Sequence, residues 1–274
     1  MIQKYIQYLS SIRNYSSNTC SSYQKDLSAF SRWAKAHIDH AQWSKITRAD
    51  IDRYITDMAT AGLKPATTNR ALAAISGIYT YMQREGYPVE NPCKYESRRK
   101  ISRSLPNTID EEQLRKAYDN AQGVKRLLLG VLSTTGIRIQ ELLNLTWEDI
   151  NFNENSLRIN GKGAKERLVY TTNEVLEELA NVHRILKPHG RIFGLNQRDA
   201  RHMIWEALSP YCQAKQLSPH AIRHTFATNL AKHGVNVSQI GTLLGHEHIE
   251  TTQKYIDMTQ HNNREIVQQY SLFN

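Results

Sequence analysis

A proline-bearing stretch at residues 88–107, PVENPCKYESRRKISRSLPN, is the feature that most limits how this chain can fold. It carries three prolines and has no apolar periodicity, which is typical of a linker and unlike a helix or a buried strand. Helical patterns lie on both sides of it, and 274 residues are enough for two cores. We therefore expect one domain at residues 1–87, a linker at 88–107 and a second domain from residue 108.

The linker is also basic. Its cationic side chains are Lys94, Arg98, Arg99, Lys100 and Arg103. Two interpretations stay open, because such a run can be a solvated loop or can cross a phosphate backbone. The formal net charge of the whole chain, +9, favours a polyanionic partner such as nucleic acid, although an anionic membrane surface also fits.

Four amphipathic helical patterns fill the first 87 residues. Their apolar positions recur at a spacing that lines one face of a helix. The third pattern follows Thr47-x-x-Asp50, which indicates a helix start, and the fourth follows Pro65. The sequence therefore predicts a small four-helix N-terminal domain.

Most of the second domain also has helical patterns. A capping box from Asp110 to Gln113 opens one helix, and the apolar run VKRLLLGVL belongs to another that stops at Gly136. The segment SLRINGKGAKERLVY has two short β-like runs around a glycine-rich turn, which predicts a hairpin. The fold class is therefore mainly α, with a small antiparallel β-sheet in the second domain. Later helical patterns cover residues 173–187, 198–214, 219–233, 237–244 and 249–259, and a short amphipathic tail follows.

Composition disfavours several classes of protein. The first residues contain no apolar run of signal-peptide length, and no later run approaches the length of a membrane span. Cys20, Cys93 and Cys212 lie far apart, so neither a disulfide framework nor a thiolate metal site is indicated. We expect a soluble protein of the reducing cytoplasm with no membrane partner.

The segment LSPHAIRHTFATNL has a well-defined helix start. Ser218 can cap the helix and Pro219 suits its first position, so that His220 and Arg223 lie three residues apart near the N-terminus. The apolar stripe, which includes Ile222, places His220 away from the core and Arg223 at the edge of the stripe. A histidine and an arginine presented together at a helix N-terminus describe a phosphate site, whereas a single exposed histidine carries little information.

Histidine spacing also requires a metal site to be considered. His220 and His224 form an H-x-x-x-H pair, and His246 and His248 form an H-x-H pair. The first pair lacks the glutamate of the H-E-x-x-H zinc motif, and no carboxylate cluster accompanies either pair. We therefore expect no metal and no other cofactor.

Three further residues are ambiguous on local grounds. Arg138 opens a helix, and with Glu141 it can form a surface ion pair of little energetic value. Lys162 lies in the turn GKGAK, where glycines allow a close approach to a ligand backbone, although an ordinary exposed turn lysine has the same pattern. Tyr255, in TTQKYIDMTQ, lies away from the more apolar face of its helix, but most such tyrosines are packing groups.

In chain order, six residues together resemble the tyrosine recombinase or phage integrase family. The set is Arg138, Lys162, His220, Arg223, His246 and Tyr255. The matching segments are TTGIRIQELLNLTWEDI, GKGAKERLVY and LSPHAIRHTFATNLAKHGVNVSQIGTLLGHEHIETTQKY, with a weaker N-terminal match at YSSNTCSSYQKDLSAFSRW. The pattern is most similar to the compact Xer-like members of the family.

The resemblance implies a role for each member of this set. Arg138 and Arg223 would grip the scissile phosphate, where planar guanidinium groups stabilise developing negative charge without a metal. Lys162 would be the general acid for the leaving 5′ oxygen, and such an acid typically contributes ~10²- to 10⁴-fold in rate.

The remaining three residues would supply the nucleophile and its support. Tyr255 would attack the phosphate and form a covalent 3′-phosphotyrosyl intermediate, which preserves the bond energy and makes ATP unnecessary. His220 would act as general acid or base, and His246 would contact the phosphate. A tyrosine with a pKa of ~10 needs such help at neutral pH.

The resemblance also implies a fold and partners. The expected fold is that of DNA breaking-rejoining enzymes, with an N-terminal four-helix SAM-like core-binding domain and a mostly helical catalytic domain at residues 108–260, which close around duplex DNA. The partners would be double-stranded DNA with a specific recombination site and a homo-tetramer on synapsed DNA, with or without a related recombinase. Residues 261–274 would form a tail that is exchanged between protomers.

Two other functions share parts of this pattern. A type IB topoisomerase has much of the same set but acts without synapsing two sites, and the Xer-like N-terminal match argues against it. A DNA-binding regulator that has lost the chemistry would have no use for a nucleophile, so the intact Tyr255 argues against that function. We expect a site-specific recombinase that serves integration and excision, inversion or dimer resolution.

Overall fold

The computed structural model describes most of the chain. The described residues are mostly helical with one small antiparallel sheet, which confirms the predicted fold class. The chain divides into two compact units, Met1–Arg103 and Ser104–Asn274. The described residues are 1–39, 42–94, 107–161, 166–186, 189–212, 217–245 and Thr252.

The first unit contains the four predicted helices. Before the third helix, the Thr47 backbone N–H donates to Asp50 Oδ2 at 2.8 Å, and the Asp50 N–H donates to the Thr47 hydroxyl at 3.3 Å. This reciprocal capping confirms the helix start that the sequence indicated, and Pro65 occupies the first turn of the fourth helix. The helices are α1 (Ile2–Ser11), α2 (Ser17–His37), α3 (Arg48–Thr60) and α4 (Pro65–Arg84).

Aromatic and aliphatic side chains fill the core of the first unit. Phe30 and Tyr79 are fully buried, and the Tyr79 hydroxyl donates to the carbonyl oxygen of Trp43 at 2.7 Å. Asp26 in α2 accepts two hydrogen bonds from Arg70 in α4, at 2.7 and 3.0 Å. Because the buried carboxylate is paired with a guanidinium group, the cost of removing it from water is offset. The unit therefore has a core of its own.

In the second unit, the described residues form seven α-helices and three short strands. The sheet is antiparallel with the strand order β1-β2-β3, and Ile159 pairs with Arg167 between β2 and β3. The predicted hairpin is therefore confirmed. The helices are α5 (Glu111–Asn120), α6 (Gly123–Thr135), α7 (Ile139–Asn144), α8 (Asn173–Leu186), α9 (Gln197–Leu208), α10 (Pro219–Lys232) and α11 (Val237–Leu244), and the strands are β1 (Ile150–Asn151), β2 (Ser156–Asn160) and β3 (Glu166–Tyr170).

Helix α6 lies at the centre of the second unit. It packs against α5, α8, α9 and α10, and its residues Leu128, Leu129, Val131 and Leu132 are buried. A helix with apolar residues on several faces is expected to be buried in this way. The segment that follows α6, from Gly136 onward, therefore begins inside the second unit.

Helix α9 is shorter than the sequence pattern indicated. The pattern extended to residue 214, whereas α9 ends at Leu208. Pro210 explains the difference, because proline has no backbone N–H to donate to the carbonyl four residues earlier.

Several predicted features lie outside the described residues. They include the turn at residues 162–165, the linker cations Arg98, Arg99, Lys100 and Arg103, the tail at residues 261–274 and most of the helix predicted at 249–259. Two residues of these regions are described: Lys94 is exposed, and Thr252 is helical.

Candidate active site

Helix α6 ends in a left-handed turn at Gly136. The φ angle of Gly136 is +61°, a conformation that residues with side chains rarely adopt. A Cβ atom at this position would also overlap the ring of Phe226 and lie 3.0 Å from Leu244 Cδ2. Conformation and space therefore both require glycine here. The turn leads directly to Arg138, the N-cap residue of α7.

Arg138 is half-buried and contacts both a carboxylate and a backbone carbonyl. Its Nη1 donates to Glu141 Oε1 at 2.9 Å, and its Nη2 donates to the carbonyl oxygen of Gly245 at 3.2 Å. The sequence suggested a surface ion pair, but the side chain of Glu141 is only 8% exposed while that of Arg138 is 41% exposed. Because less water screens it, this pair is stronger than a fully exposed one.

Arg223 is buried in α10, with 4% of its surface exposed, and not at the edge of the apolar stripe where the helical pattern placed it. Its Nη1 donates to the carbonyl oxygen of Gly136 at 2.7 Å, and its Nη2 donates to that of Leu244 at 2.7 Å. A buried charge is tolerated where hydrogen bonds replace those to water. The burial arises because α10 packs against both α6 and α11, which the pattern of a single helix does not contain.

Arg138 and Arg223 meet at the C-terminus of α11. They bind the neighbouring carbonyl groups of Gly245 and Leu244. The last carbonyl groups of a helix have no partner within it and lie at the negative end of its dipole, so they attract cations. The structure thus brings together two predicted phosphate ligands that are distant in sequence.

His220 lies in the first turn of α10, three residues before Arg223, and is exposed as predicted. The helix start is also as predicted, because the Ser218 hydroxyl accepts from the Ala221 backbone N–H at 3.3 Å. The ring centre of His220 lies 6.4 Å from that of His224. His220 therefore presents its imidazole on the helix that holds Arg223.

Lys162, His246 and Tyr255 lie outside the described residues, so their positions stay predictions. The described residue nearest to Tyr255 in sequence is Thr252, which is fully buried. A Cβ atom on Gly241 would lie 3.2 Å from the Thr252 hydroxyl oxygen. Three residues before Tyr255, the chain therefore lies against α11.

A third arginine belongs to the same cluster and was missed by the reasoning from sequence. Arg167 donates from Nη1 and Nη2 to the two carboxylate oxygens of Glu141, at 3.1 and 2.8 Å, and from Nε to the carbonyl oxygen of Leu243 at 3.2 Å. The available signal is the alternation of β3, in which residues 166, 168 and 170 are exposed while Arg167 shares a face with the buried Val169. A charged residue at such a position indicates a specific partner.

Glu141 is the carboxylate that the arginines share. Burial raises its pKa, but the hydrogen bonds and charges of Arg167 and Arg138 lower it by more, so that the pKa of Glu141 is below its ordinary value. The carboxylate therefore stays ionised at neutral pH and balances part of the positive charge around it.

The described part of the chain offers neither a metal cluster nor a membrane-spanning helix. No group of three or more histidine, cysteine, aspartate or glutamate side chains there is arranged to hold a metal ion. In the same residues, no helix combines the length and the apolar character needed to cross a membrane. Cys20, Cys93 and Cys212 are buried, and no disulfide joins them.

The fold is shared with solved structures of recombinases and integrases. One solved structure with this fold is the XerH site-specific recombinase bound to a palindromic difH substrate, at a TM-score of 0.76 and 20% identity over 100% of this chain and 85% of that chain. Another is the Tn1549 transposon integrase in complex with transposon right end DNA, at a TM-score of 0.74 and 19% identity over 97% of this chain and 99% of that chain.

Sequence relatives cover almost the whole chain. The tyrosine recombinase XerD of Yersinia pestis is 29% identical over 98% of this chain and 96% of its own length. The tyrosine recombinase XerC of Listeria innocua is 30% identical over 94% of this chain and 93% of its own length. Residues 107–263 match the Phage integrase family, and residues 2–86 match the phage integrase N-terminal SAM-like domain.

The chain belongs to the phage integrase family, and its activity is that of a tyrosine recombinase. The family resemblance read from the sequence and the SAM-like N-terminal domain are therefore confirmed.

Proposed function

We propose that this recombinase cleaves a strand of duplex DNA with Tyr255, holds the 3′ end as a phosphotyrosyl ester and rejoins it to a second strand at a specific site. The observation that carries the proposal is the convergence of Arg138 and Arg223 on neighbouring carbonyl groups at the end of α11. The family membership of the chain supports it from outside the site.

The two arginines differ in how freely they reach a phosphate. Arg223 is buried and its two bonds of 2.7 Å hold the guanidinium group in one orientation, so that it supplies a fixed positive charge. The side chain of Arg138 is 41% exposed, so solvent and ligands reach it more easily. Fixed donors that face the position where charge develops stabilise a transition state without reorganisation. Arg223 is therefore the rigid element of the pair and Arg138 the accessible one.

His220 adds a proton-transfer group to the arginine pair. It is exposed in the first turn of α10, where backbone N–H groups and the helix dipole favour an anion. An imidazole in this place takes the proton of the attacking phenol as a general base and returns it in the reverse step.

The three predicted residues beyond the described part complete the reaction. The phenol oxygen of Tyr255 forms a bond to phosphorus, and the bond from phosphorus to the 5′ oxygen breaks. Lys162 donates a proton to the leaving 5′ oxygen, and His246 contacts the phosphate. In the second step, a 5′ hydroxyl of another strand attacks the phosphotyrosyl ester and releases Tyr255. Since one phosphodiester replaces another, no external energy source is consumed.

Duplex DNA is the proposed partner, and both predicted domains would contact it. The boundaries proposed are residues 1–87 for the core-binding domain, 88–107 for the basic linker that crosses the phosphate backbone, and 108–260 for the catalytic domain. The net charge of +9 supports this partner. The logarithm of the binding constant should decrease linearly as the logarithm of the salt concentration rises, with a slope of roughly −0.9 per neutralised phosphate.

A covalent adduct assay tests the proposal. Duplexes that the full chain binds are first selected from a random pool. A selected duplex is then nicked near the centre of the sequence that the bound protein covers. We expect an adduct that survives denaturation, its loss in Tyr255→Phe, and its retention in the control Tyr170→Phe, which changes an exposed tyrosine of β3. Absence of an adduct with the unaltered chain on a duplex that it binds would contradict the proposal.

The same assay distinguishes strand exchange from simple relaxation. An adduct together with relaxation of supercoiled plasmid, but no exchange between two selected sites, would indicate a topoisomerase.

Assembly is the last part of the proposal. We infer a homo-tetramer on two synapsed sites, in which residues 261–274 of each protomer bind the next one. Deletion of residues 264–274 should weaken synapsis of two duplexes more than binding to a single duplex. Equal loss of both would count against an exchanged tail.

A further inference from the structure

We propose that Arg167 is a positioning residue that joins the β2–β3 hairpin to Arg138 and to the end of α11, and that it sets the geometry of the phosphate site without touching the phosphate. The inference deepens the proposed function and rests on it. It starts from the carbonyl groups at the end of α11.

Three consecutive carbonyl groups at this helix end each bind an arginine from a different element. The carbonyl oxygens of residues 243, 244 and 245 accept from Arg167 in β3, Arg223 in α10 and Arg138 before α7, at 3.2, 2.7 and 3.2 Å. These carbonyl groups have no partner within the helix and lie at the negative end of its dipole. The end of α11 is therefore the point at which the three arginines are held relative to one another.

Glu141 provides a second link between Arg167 and Arg138, in addition to the end of α11. Arg167 binds both of its carboxylate oxygens, while Arg138 binds Oε1 with its side chain and Oε2 with its backbone N–H. A carboxylate prefers a two-point pairing with a guanidinium group. Without Arg167, Glu141 would draw the guanidinium group of Arg138 toward such a pairing and away from Gly245. Arg167 therefore keeps Arg138 in its present orientation.

Arg167 itself is enclosed by protein. All three of its side-chain nitrogens donate to Glu141 or to Leu243, and only 14% of the side chain is exposed. Its guanidinium group also packs so closely on Gly245 that a Cβ atom there would lie 2.9 Å from Arg167 Cζ. Because all three side-chain nitrogens are bonded to protein, we assign Arg167 to the support of its neighbours and not to a contact with a DNA phosphate.

One side chain thus connects two segments that lead to predicted catalytic residues. Arg167 is the second residue of β3, in the hairpin whose connection contains Lys162, and it binds the helix end that is followed by His246. A displacement of about 1 Å within a catalytic group can cost roughly 10²-fold in rate. Arg167 is placed to prevent such a displacement of both the hairpin and the end of α11.

Hydrogen exchange in the full chain without DNA tests the connection. Arg167→Met should raise amide exchange roughly tenfold in both residues 157–170 and residues 240–245, because charged hydrogen bonds are lost at both. The matched control is Arg158→Met, which removes the pairing of a half-exposed arginine with Asp149 at 3.2 Å and should affect β2 and its neighbours alone. An effect of Arg167→Met that is confined to residues 157–170 would overturn the proposal.

Adduct formation on the selected, nicked duplex tests the consequence. Arg167→Met should slow it by roughly 10²-fold while the affinity for the duplex stays unchanged. Arg167→Lys should restore part of the rate, because lysine keeps a charge for Glu141 but cannot also reach Leu243. An unchanged rate, or a rate and an affinity that fall together, would mean that Arg167 has no positioning role.

Failure of the proposed function and failure of this inference give different results. If the unaltered chain forms no adduct, the proposed function is wrong, while the exchange experiment still decides whether Arg167 joins the two segments. If Arg167→Met is unfolded by circular dichroism, Arg167→Lys replaces it, and it must raise exchange in residues 240–245 for the proposal to stand.

Discussion

The guanidinium group of Arg223 donates a 2.7 Å hydrogen bond to the carbonyl oxygen of Gly136, across 87 residues of sequence. This bond places a buried arginine of α10 on the turn that ends α6 and leads to Arg138. The geometry of one turn therefore affects both arginines of the site. Several consequences can be measured on the protein without knowledge of its target DNA.

Gly136→Ala should be more destabilising than a glycine-to-alanine change at another left-handed position that has free space around it. The left-handed backbone alone costs about 1–2 kcal/mol for a residue with a side chain. At Gly136 the new methyl group would also overlap the ring of Phe226. The control is Gly234→Ala, because Gly234 has a φ of +77° with nothing within 4 Å of a Cβ atom. Urea unfolding that shows equal losses for the two variants would contradict the clash.

Glu141→Gln should lower the free energy of unfolding by about 3 kcal/mol at neutral pH, because two arginines lose their shared buried charge. The pKa of Glu141 is lowered in the folded state, so its stabilisation is complete above the ordinary carboxyl pKa. It is lost as the pH falls through the folded pKa. The difference between the unaltered chain and the variant should therefore shrink as the solution is acidified.

Urea unfolding from neutral to acidic pH measures this difference. The control is Glu177→Gln, which changes an exposed glutamate of α8 and should leave the unfolding free energy unchanged at neutral pH. A difference for Glu141→Gln that stays constant with pH would rule out a stabilising ionised carboxylate.

Thr225→Val should destabilise the second unit without acting on the chemistry. The Thr225 hydroxyl accepts from the Ile109 backbone N–H at 2.8 Å in a buried environment. Valine has a similar shape and leaves that N–H without this acceptor, which costs about 1–3 kcal/mol. The control is Thr242→Val, whose exposed hydroxyl donates to the Ser238 carbonyl of its own helix at 2.9 Å. Similar unfolding free energies for both variants would show that the Ile109 bond is unimportant.

Gly241→Ala should lower the activity of the protein without lowering its stability. Alanine in a helix is favoured over glycine by about 1 kcal/mol, so α11 itself gains stability. Its methyl group would lie 3.2 Å from the Thr252 hydroxyl oxygen, three residues before the proposed nucleophile. We expect slower adduct formation with no loss of thermal stability, and recovery of the rate in Gly241→Ala with Thr252→Ala. Failure of the double substitution to recover the rate would exclude the contact as the cause.

Features that depend on a few neighbouring residues were predictable from the sequence. The capping pair of Thr47 and Asp50, the start of α4 at Pro65 and the left-handed end of α6 at Gly136 all involve residues within one turn of each other. The hairpin of β2 and β3 belongs to the same class, since its two strands are close in sequence. The roles of Lys162, His246 and Tyr255 rest on family resemblance and stay predictions.

The arrangement of the site could not be obtained in that way. A helical stripe placed Arg223 at an edge, but packing between α6 and α11 buries it. Glu141 looked like a surface partner for Arg138, whereas Arg167 from a distant strand converts it into a shared buried carboxylate. The end of α9 at Leu208 depends on Pro210, whose effect a periodic pattern of apolar residues does not contain.

The chain's helices and turns thus follow from local patterns, because capping, periodicity and left-handed glycine turns act over a few neighbouring residues. The set of candidate site residues comes from the family resemblance. Which side chains share a carboxylate or a carbonyl follows from the packing of α6, α7, α10, α11 and β3. Those contacts join residues as far as 107 positions apart, as Arg138 and Gly245 show. Burial, and with it the strength of every charge in the site, arises only when these elements come together.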